Sequence, residues 1–194
     1  MSFFIGHWSF VIICQISLCA LRVSAVRRLV AAGLPCGPFS MFDRIYTLKA
    51  ELWLPRPLEE VFNFFADPHN LEALTPALLR FEFLTPGPVE MKPGTRIDYR
   101  IRLHGFPVLW QSEITVWEPP HRFVDRQNRG PYRLWIHEHL FEARDRGTNI
   151  RDSVRYAVPG GALVQKLLVS RDLEKIFSYR RRKLQEIFRL TIEE

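Results

Sequence analysis

Four residues in the second half of the chain carry most of its potential chemistry: Asp125, His137, His139 and Asp152. His137-x-His139 has the spacing that puts two imidazoles on one face of an extended strand. A carboxylate behind an imidazole fixes its tautomer and raises its basicity, which suits general acid/base work in an aldol-type cyclisation or a dehydration. Two imidazoles and a carboxylate are also the donor set of a facial metal triad. The plainer alternative is that the four groups pair off inside the protein and only satisfy one another, the usual fate of buried ionisable networks. The sequence has no His-Glu-x-x-His motif, no phosphate-binding glycine loop and no Gly-x-Ser-x-Gly elbow, which sets aside the chemistries those motifs mark.

The segments that must position these residues read as strands. Ile45 to Leu54 alternates apolar and polar residues until Pro55 ends the run. Pro57 then opens a short helix with Glu59 and Glu60 in its first turn and Val61, Phe62, Phe64 and Phe65 on its apolar face. A second short helix restarts at Asp67-Pro68 and stops at Thr75-Pro76, and Leu78 to Leu84 reads as a further strand. Turn signals at Pro93-Gly94, Gly105-Phe106-Pro107, Pro119-Pro120, Gly130-Pro131 and Asp145-Arg146-Gly147 then separate alternating runs, the pattern of an antiparallel meander.

With the shortest loop at each turn, the inward residues align in rows across neighbouring strands. One row is Tyr99, Ser112, Gln127, Trp135, Tyr156; the next is Ile97, Ile114, Asp125, His137, Val154; the third is Thr95, Val116, Phe123, His139, Asp152. This register faces Asp125 with His137 and Asp152 with His139. Leu134, Ile136 and Leu140 form the more apolar face of the histidine strand, and a slip of one residue would turn both imidazoles outward.

The last segment is a helix. Leu163, Val164, Leu167, Leu168, Leu173, Ile176, Phe177, Leu184, Ile187 and Phe188 recur mostly three or four apart, with Lys166, Arg171, Asp172, Glu174, Lys175, Arg181, Arg182 and Glu186 on the other side. That is one stripe along a helix of roughly 40 Å. The Arg180-Arg181-Arg182-Lys183 run reads as a solvated end favoured by the helix dipole. The expected class is α+β: a curved antiparallel sheet of about seven strands gripping the long helix, with a space between them.

The chain has 194 residues, 47% hydrophobic and 25% charged, which suits one ordinary domain. Its formal net charge of +6 includes Arg22, Arg27 and Arg28 from the first forty residues. The remaining excess is spread along strands, so no nucleic-acid partner is expected. Residues 1–40 read as an extension outside the domain, which spans 41–194: an upstream mis-start with Met41 as the true start, or a membrane anchor or signal. Membrane contact is expected through that extension alone, with the domain cytoplasmic. Cys14, Cys19 and Cys36 all fall there too, so the domain is cysteine-free.

The order of elements resembles the helix-grip fold of the START and Bet v 1-like (SRPBCC) superfamily, over about Met41 to Phe188. The motifs that carry the likeness are Leu52-Trp53-Leu54-Pro55, Gly94-Thr95-Arg96-Ile97-Asp98-Tyr99, Trp117-Glu118-Pro119-Pro120, Trp135-x-His137-x-His139-x-Phe141 and Ile176-Phe177-x-Tyr179-Arg180, and they are similar to an uncharacterised bacterial branch. That superfamily includes lipid and sterol carriers, polyketide cyclases and dehydratases, and coenzyme-Q-binding proteins. The resemblance implies a monomer or weak dimer that carries a hydrophobic small molecule between sheet and helix; a cyclase or dehydratase and a protein-interaction module are the alternatives. It implies no cofactor and no metal, because the iron motif of the metal-binding members is missing. The expected walls are Phe64, Tyr99, Trp110, Trp135, Tyr156 and Phe177, with Ser112, Asp125, Gln127, His137, His139 and Asp152 supplying polar groups. Such a pocket should hold several hundred Å³.

Overall fold

Alternation of apolar and polar residues becomes a single antiparallel sheet in the computed structural model, which describes residues 44–190. The expectations for residues 1–40 lie outside the described residues. The strands are β1 (Tyr46–Leu54), β2 (Glu82–Phe83), β3 (Arg96–Leu103), β4 (Phe106–Glu118), β5 (Arg122–Arg129), β6 (Leu134–Arg144) and β7 (Gly147–Ala157). They lie in the order β1-β7-β6-β5-β4-β3-β2, so the first strand closes onto the last. Two short helices, α1 (Leu58–Ala66) and α2 (Asn70–Ala73), follow β1. The helical C-terminal segment comprises α3 (Gly161–Val164), a π-helical turn (Gln165–Val169) and the long α4 (Ser170–Leu190). This is the helix-grip fold. No helix among the described residues is long and apolar enough to cross a membrane.

The register around the histidines is the expected one: Asp125 pairs with His137, Phe123 with His139, His137 with Val154 and His139 with Asp152. Elsewhere the turns correct it. The β3–β4 hairpin closes on His104 and Gly105, both at positive φ (50° and 85°), the two-residue turn that matches strand twist. Tyr99 therefore pairs with Trp110 and Ile97 with Ser112, two residues from the expected alignment. An even shift leaves every side chain on its expected face. Between β4 and β5 the pairing steps from Ile114–Asp125 to Val116–Val124, so Thr115 is the extra residue of a bulge and Phe123 sits opposite Trp117. Leu78 to Leu84 is not one strand: Ala77–Leu79 form a 3-10 turn, Arg80 is left-handed at φ 43°, and only Glu82–Phe83 pair.

The helical stripe is also shorter than its sequence pattern. Leu173, Leu184 and Phe188 are buried, with Phe177 and Ile187 packed against the core. Leu163, Leu167 and Leu168 are 62%, 51% and 45% exposed. The π turn adds a residue to the helical repeat, which rotates the residues before it by about 100° out of the stripe's phase. The helix is tied near both ends: His104 Nε2 meets Asp172 Oδ2 at 2.8 Å, and Arg56 Nε donates to Phe188 O at 3.2 Å.

Under the sheet, Phe62 and Phe65 of α1 pack edge-on against Phe141 of β6, with centroids 5.3 and 5.1 Å apart. Burial of each such ring contributes about 1.5–3 kcal/mol. The opposite face of the sheet carries charge ladders, including Arg96–Glu113 at 3.1 Å and Arg122–Glu138 at 2.8 Å. Exposed pairs of this kind add at most about 1 kcal/mol each, so the grip on α4 rests on apolar burial.

Leu173→Asp should therefore unfold or severely destabilise the domain, by more than about 4 kcal/mol, because it puts an unpaired charge under the sheet. Arg171→Asp, at an exposed position, should change stability by less than about 0.5 kcal/mol. Urea denaturation followed by circular dichroism checks both; similar losses from the two would refute this helix orientation.

Candidate functional site

Strand β6 presents His137 and His139 on its inner face, and the strands on either side supply one acid each, Asp125 from β5 and Asp152 from β7. The four groups interleave instead of forming two separate pairs. His137 Nε2 is 3.2 Å from Asp152 Oδ1, and His137 Nδ1 is 3.8 Å from Asp125 Oδ2. His139 Nδ1 is 2.6 Å from Asp152 Oδ1, and His139 Nε2 is 3.4 Å from Asp125 Oδ2. The imidazole centroids are 3.8 Å apart, and Phe123 stacks on His139 at 4.2 Å. Asp125 is the member that faces open space, at 17% exposure against 3–9% for the other three. Its second oxygen accepts a hydrogen bond from Ser112 Oγ at 3.4 Å, and Ser112 Oγ accepts one from Trp110 Nε1 at 3.2 Å.

The open space is an interior cavity of about 190 Å³ between sheet and α4. Phe64, Tyr99, Trp110, Ser112, Asp125, Trp135, His137, His139 and Phe177 all line it, as the sequence leads one to expect. Three expected residues do not. Asp152 and Tyr156 face a separate groove of about 570 Å³ between β1 and α4. Gln127 lies outside both spaces. It holds a turn instead: Nε2 donates to Tyr132 O at 2.7 Å, and Oε1 accepts from Tyr132 N at 3.3 Å. A Cβ at Gly130 would meet the Gln127 amide and push it from this position.

The cavity is smaller than the several hundred Å³ expected, because aromatic rings occupy the space. Tyr99 stacks on Trp110 at 5.7 Å, Trp110 meets Trp135 edge-on at 5.4 Å, and Tyr132 packs on Trp135 at 4.7 Å. Tyr132 follows the Gly130-Pro131 turn signal and was not among the expected wall residues. Arg180 was missed as well. It is half-buried, lines both the cavity and the groove together with Phe177, and lies 5.4 Å from the Phe65 ring centroid. Its Nε is buried without a hydrogen-bond partner. The signal was present in the spacing: Leu173, Phe177, Arg180 and Leu184 fall on one helical face, so Arg180 belongs to the gripped stripe and not to the solvated run around it.

A family model for polyketide cyclase/dehydrase and lipid transport proteins matches residues 54–184, which include every residue of this site. The chain belongs to that family. Among solved structures, the Zhui aromatase/cyclase from Streptomyces sp. R1128 is similar with a TM-score of 0.61 at 12% identity, over 77% of this chain and 97% of that one. Protein Ms6760 from Mycobacterium smegmatis gives 0.58 at 18% identity, over 75% and 92%. Ara h 8.0201 gives 0.56 at 17% identity, over 75% and 98%. Identities this low establish the shared fold alone. No curated protein matches the sequence.

Within this polyketide cyclase/dehydrase and lipid transport domain, the two histidines are shifted in opposite directions. Burial, then the neighbouring His139, pulls His137 below its ordinary value despite Asp152 and Asp125. Burial also opposes the charge on His139, but Asp152 and Asp125 outweigh it and raise that residue above its ordinary value. Burial likewise disfavours the charged carboxylates; contact with the imidazoles overcomes this and holds Asp125 below, and Asp152 well below, the usual range. Of the two imidazoles, His139 therefore holds a proton more firmly than His137, and both carboxylates keep their charge.

This arrangement has a pH signature. A raised His139 stabilises the fold fully below pH 6.5, and that contribution is lost as pH rises through its folded value. A depressed His137 stabilises the fold fully above pH 6.5, and that contribution is lost as pH falls toward its folded value. Stability measured by urea unfolding in EDTA-containing buffer should therefore peak near pH 6.5 and fall on both sides. His139→Gln should flatten the alkaline limb and His137→Gln the acid limb. A stability that climbs steadily from about pH 5 to pH 8 would contradict the assignment.

Proposed function

We propose that the domain binds a small, mostly apolar organic molecule in the interior cavity, with Asp125, the histidines and Arg180 orienting its oxygen-bearing end. The observation that carries this reading is the composition of the cavity wall. A core built only for stability would close the space with aliphatic side chains. Here a space of about 190 Å³ is left between aromatic rings on one side and Asp125, His137, His139 and Arg180 on the other. At ~30 Å³ per water, it holds about six waters, or an organic molecule with a similar number of heavy atoms. Apolar walls with a few convergent polar groups are the usual make-up of a small-molecule site. Arg180 supplies a buried Nε donor without a hydrogen-bond partner and the ionised Asp125 accepts, so a ligand carrying a carbonyl beside a hydroxyl would satisfy both. The family description and the similar folds support ligand binding of this kind.

A cyclase or dehydratase activity at the same site is the second reading. It is favoured by His137, a neutral imidazole on the cavity wall within 3.2 Å of an ionised carboxylate, which is the arrangement of a general base. The similar Zhui protein is an aromatase/cyclase. An interaction module would need no open interior, and the cavity gives it no support.

Quenching of Trp110 and Trp135 fluorescence by a panel of small aromatic and short-chain hydroxy-ketones tests binding directly. Saturable quenching, weakened at least about tenfold by filling the cavity with Ile101→Phe, is the expected result. Absence of saturation across the panel would refute ligand carriage. Replacing His137 and His139 together by Gln separates the readings: a carrier keeps its affinity within about tenfold, whereas a cyclase or dehydratase keeps binding but loses turnover by about 10²-fold or more.

A further inference from the structure

Asp125, His137 and His139 each aim one donor atom at a common point beside the cavity. One ligand atom from each residue lies within 4.8 Å of the other two, and Asp125 Oδ2 is 3.8 Å from His137 Nδ1 and 3.4 Å from His139 Nε2. Both imidazoles turn their other nitrogen outward onto a single oxygen, Asp152 Oδ1, at 3.2 and 2.6 Å. An ionised carboxylate on the outer nitrogens keeps the ring protons there and leaves the inner nitrogens as lone-pair donors. The third donor is supported too, since Ser112 Oγ donates to the other oxygen of Asp125.

As a set of pairwise contacts the cluster is poorly made. His137 Nδ1 stands beyond hydrogen-bond reach of Asp125, and His139 Nδ1 is buried close to Asp152 without the alignment of a hydrogen bond. As a donor set it is nearly in place. Donors around a tetrahedral ion at ~2.1 Å stand roughly 3.4 Å apart, so a modest inward movement of His137 completes the triangle.

We infer that Asp125, His137 and His139 form a binding site for one divalent first-row transition ion, of the zinc or iron(II) class, with Asp152 as the positioning carboxylate behind both imidazoles. Two nitrogens and one carboxylate oxygen are the donors such ions take from proteins. The remaining coordination positions open onto the cavity, where Asp125 is 17% exposed, so a water or a ligand oxygen can reach the ion. The charge count also fits: once an ion has displaced any proton from the imidazoles, two carboxylates outweigh the Arg180 of the cavity wall and leave the site anionic. His137-x-His139 alone was too short a motif to settle this in the sequence. What decides it is the pair of acids on the neighbouring strands, one on the inner nitrogens and one on the outer.

The test is titration of the full chain, first stripped with a chelator, with Co(II) alone and then Zn(II) alone, read by the Co(II) visible absorption band and by metal content after gel filtration. One ion per chain is expected. Asp125→Asn, His137→Gln and His139→Gln should each abolish it. Asp152→Asn should weaken it about ten- to hundred-fold and displace the Co(II) band, a readout that a merely structural role would not move. The exposed pairs His69–Asp67 and His104–Asp172, at 2.9 and 2.8 Å, provide the control, and His69→Gln with His104→Gln should leave binding unchanged. No retained ion, or an ion lost with His69 and His104, overturns the site. If the ligand variants fail to fold, imidazole ¹⁵N spectra of the wild-type protein decide: Zn(II) must shift His137 Nδ1 and His139 Nε2, and unshifted resonances at saturating Zn(II) refute the proposal.

Discussion

Four ionisable side chains lie on the inner face of one antiparallel sheet, and the rest of the molecule is arranged so that they can stay there. A buried charge without partners costs several kcal/mol. Three adjacent strands must therefore keep their register, because a slip of one residue would separate every acid from its imidazole. The two-residue turn at Asp145–Arg146 and the pairings Asp125–His137 and His139–Asp152 hold that alignment. Phe123 against His139 and Phe141 beneath it close the apolar side of the cluster, leaving Asp125 as its outlet to the cavity.

The helix completes the site from below. Its apolar residues supply the stability, and the same face carries Phe177 and Arg180 into the wall shared by cavity and groove. An arginine on a gripped helical stripe is expensive unless it has work to do there. Its charge acts on Asp125 and Asp152, and its buried Nε has no hydrogen-bond partner. Proteins with 12–18% identity share this grip, among them an aromatase/cyclase, so the scaffold alone does not set the chemistry. The chemistry must come from the wall: two histidines two residues apart, an acid on each flanking strand, and Arg180.

Much of this was legible in the sequence because strand patterning has a short, strict period. Short loops between alternating runs placed Asp125, His137, His139 and Asp152 inward and opposite one another, although on the histidine strand itself Leu134, Ile136 and Leu140 make the more apolar face. Features that depend on local backbone choices were not legible. The bulge at Thr115 and the π turn before Ser170 each insert one residue, and neither has a composition that marks it. The π turn is why Leu163, Leu167 and Leu168 fit the stripe in sequence yet face solvent. Arg180 was overlooked for a different reason: its neighbours Arg181, Arg182 and Lys183 made it look like part of a charged run, although its phase with Phe177 and Leu184 put it inside. Cavity volume lay beyond sequence reasoning, since it depends on how Tyr99, Trp110, Tyr132 and Trp135 tilt against each other.

The central claim is that the histidine–aspartate cluster borders an occupied interior space instead of closing on itself. A crystal structure of the protein purified from its own host, at a resolution that shows ordered water, measures this most directly. Electron density for water, an ion or an organic molecule should fill the cavity between Asp125 and the Arg180 guanidinium, with His137 and His139 in contact with it. A dry, collapsed interior, with Arg180 turned out to solvent and each histidine closed onto a single acid, would contradict it.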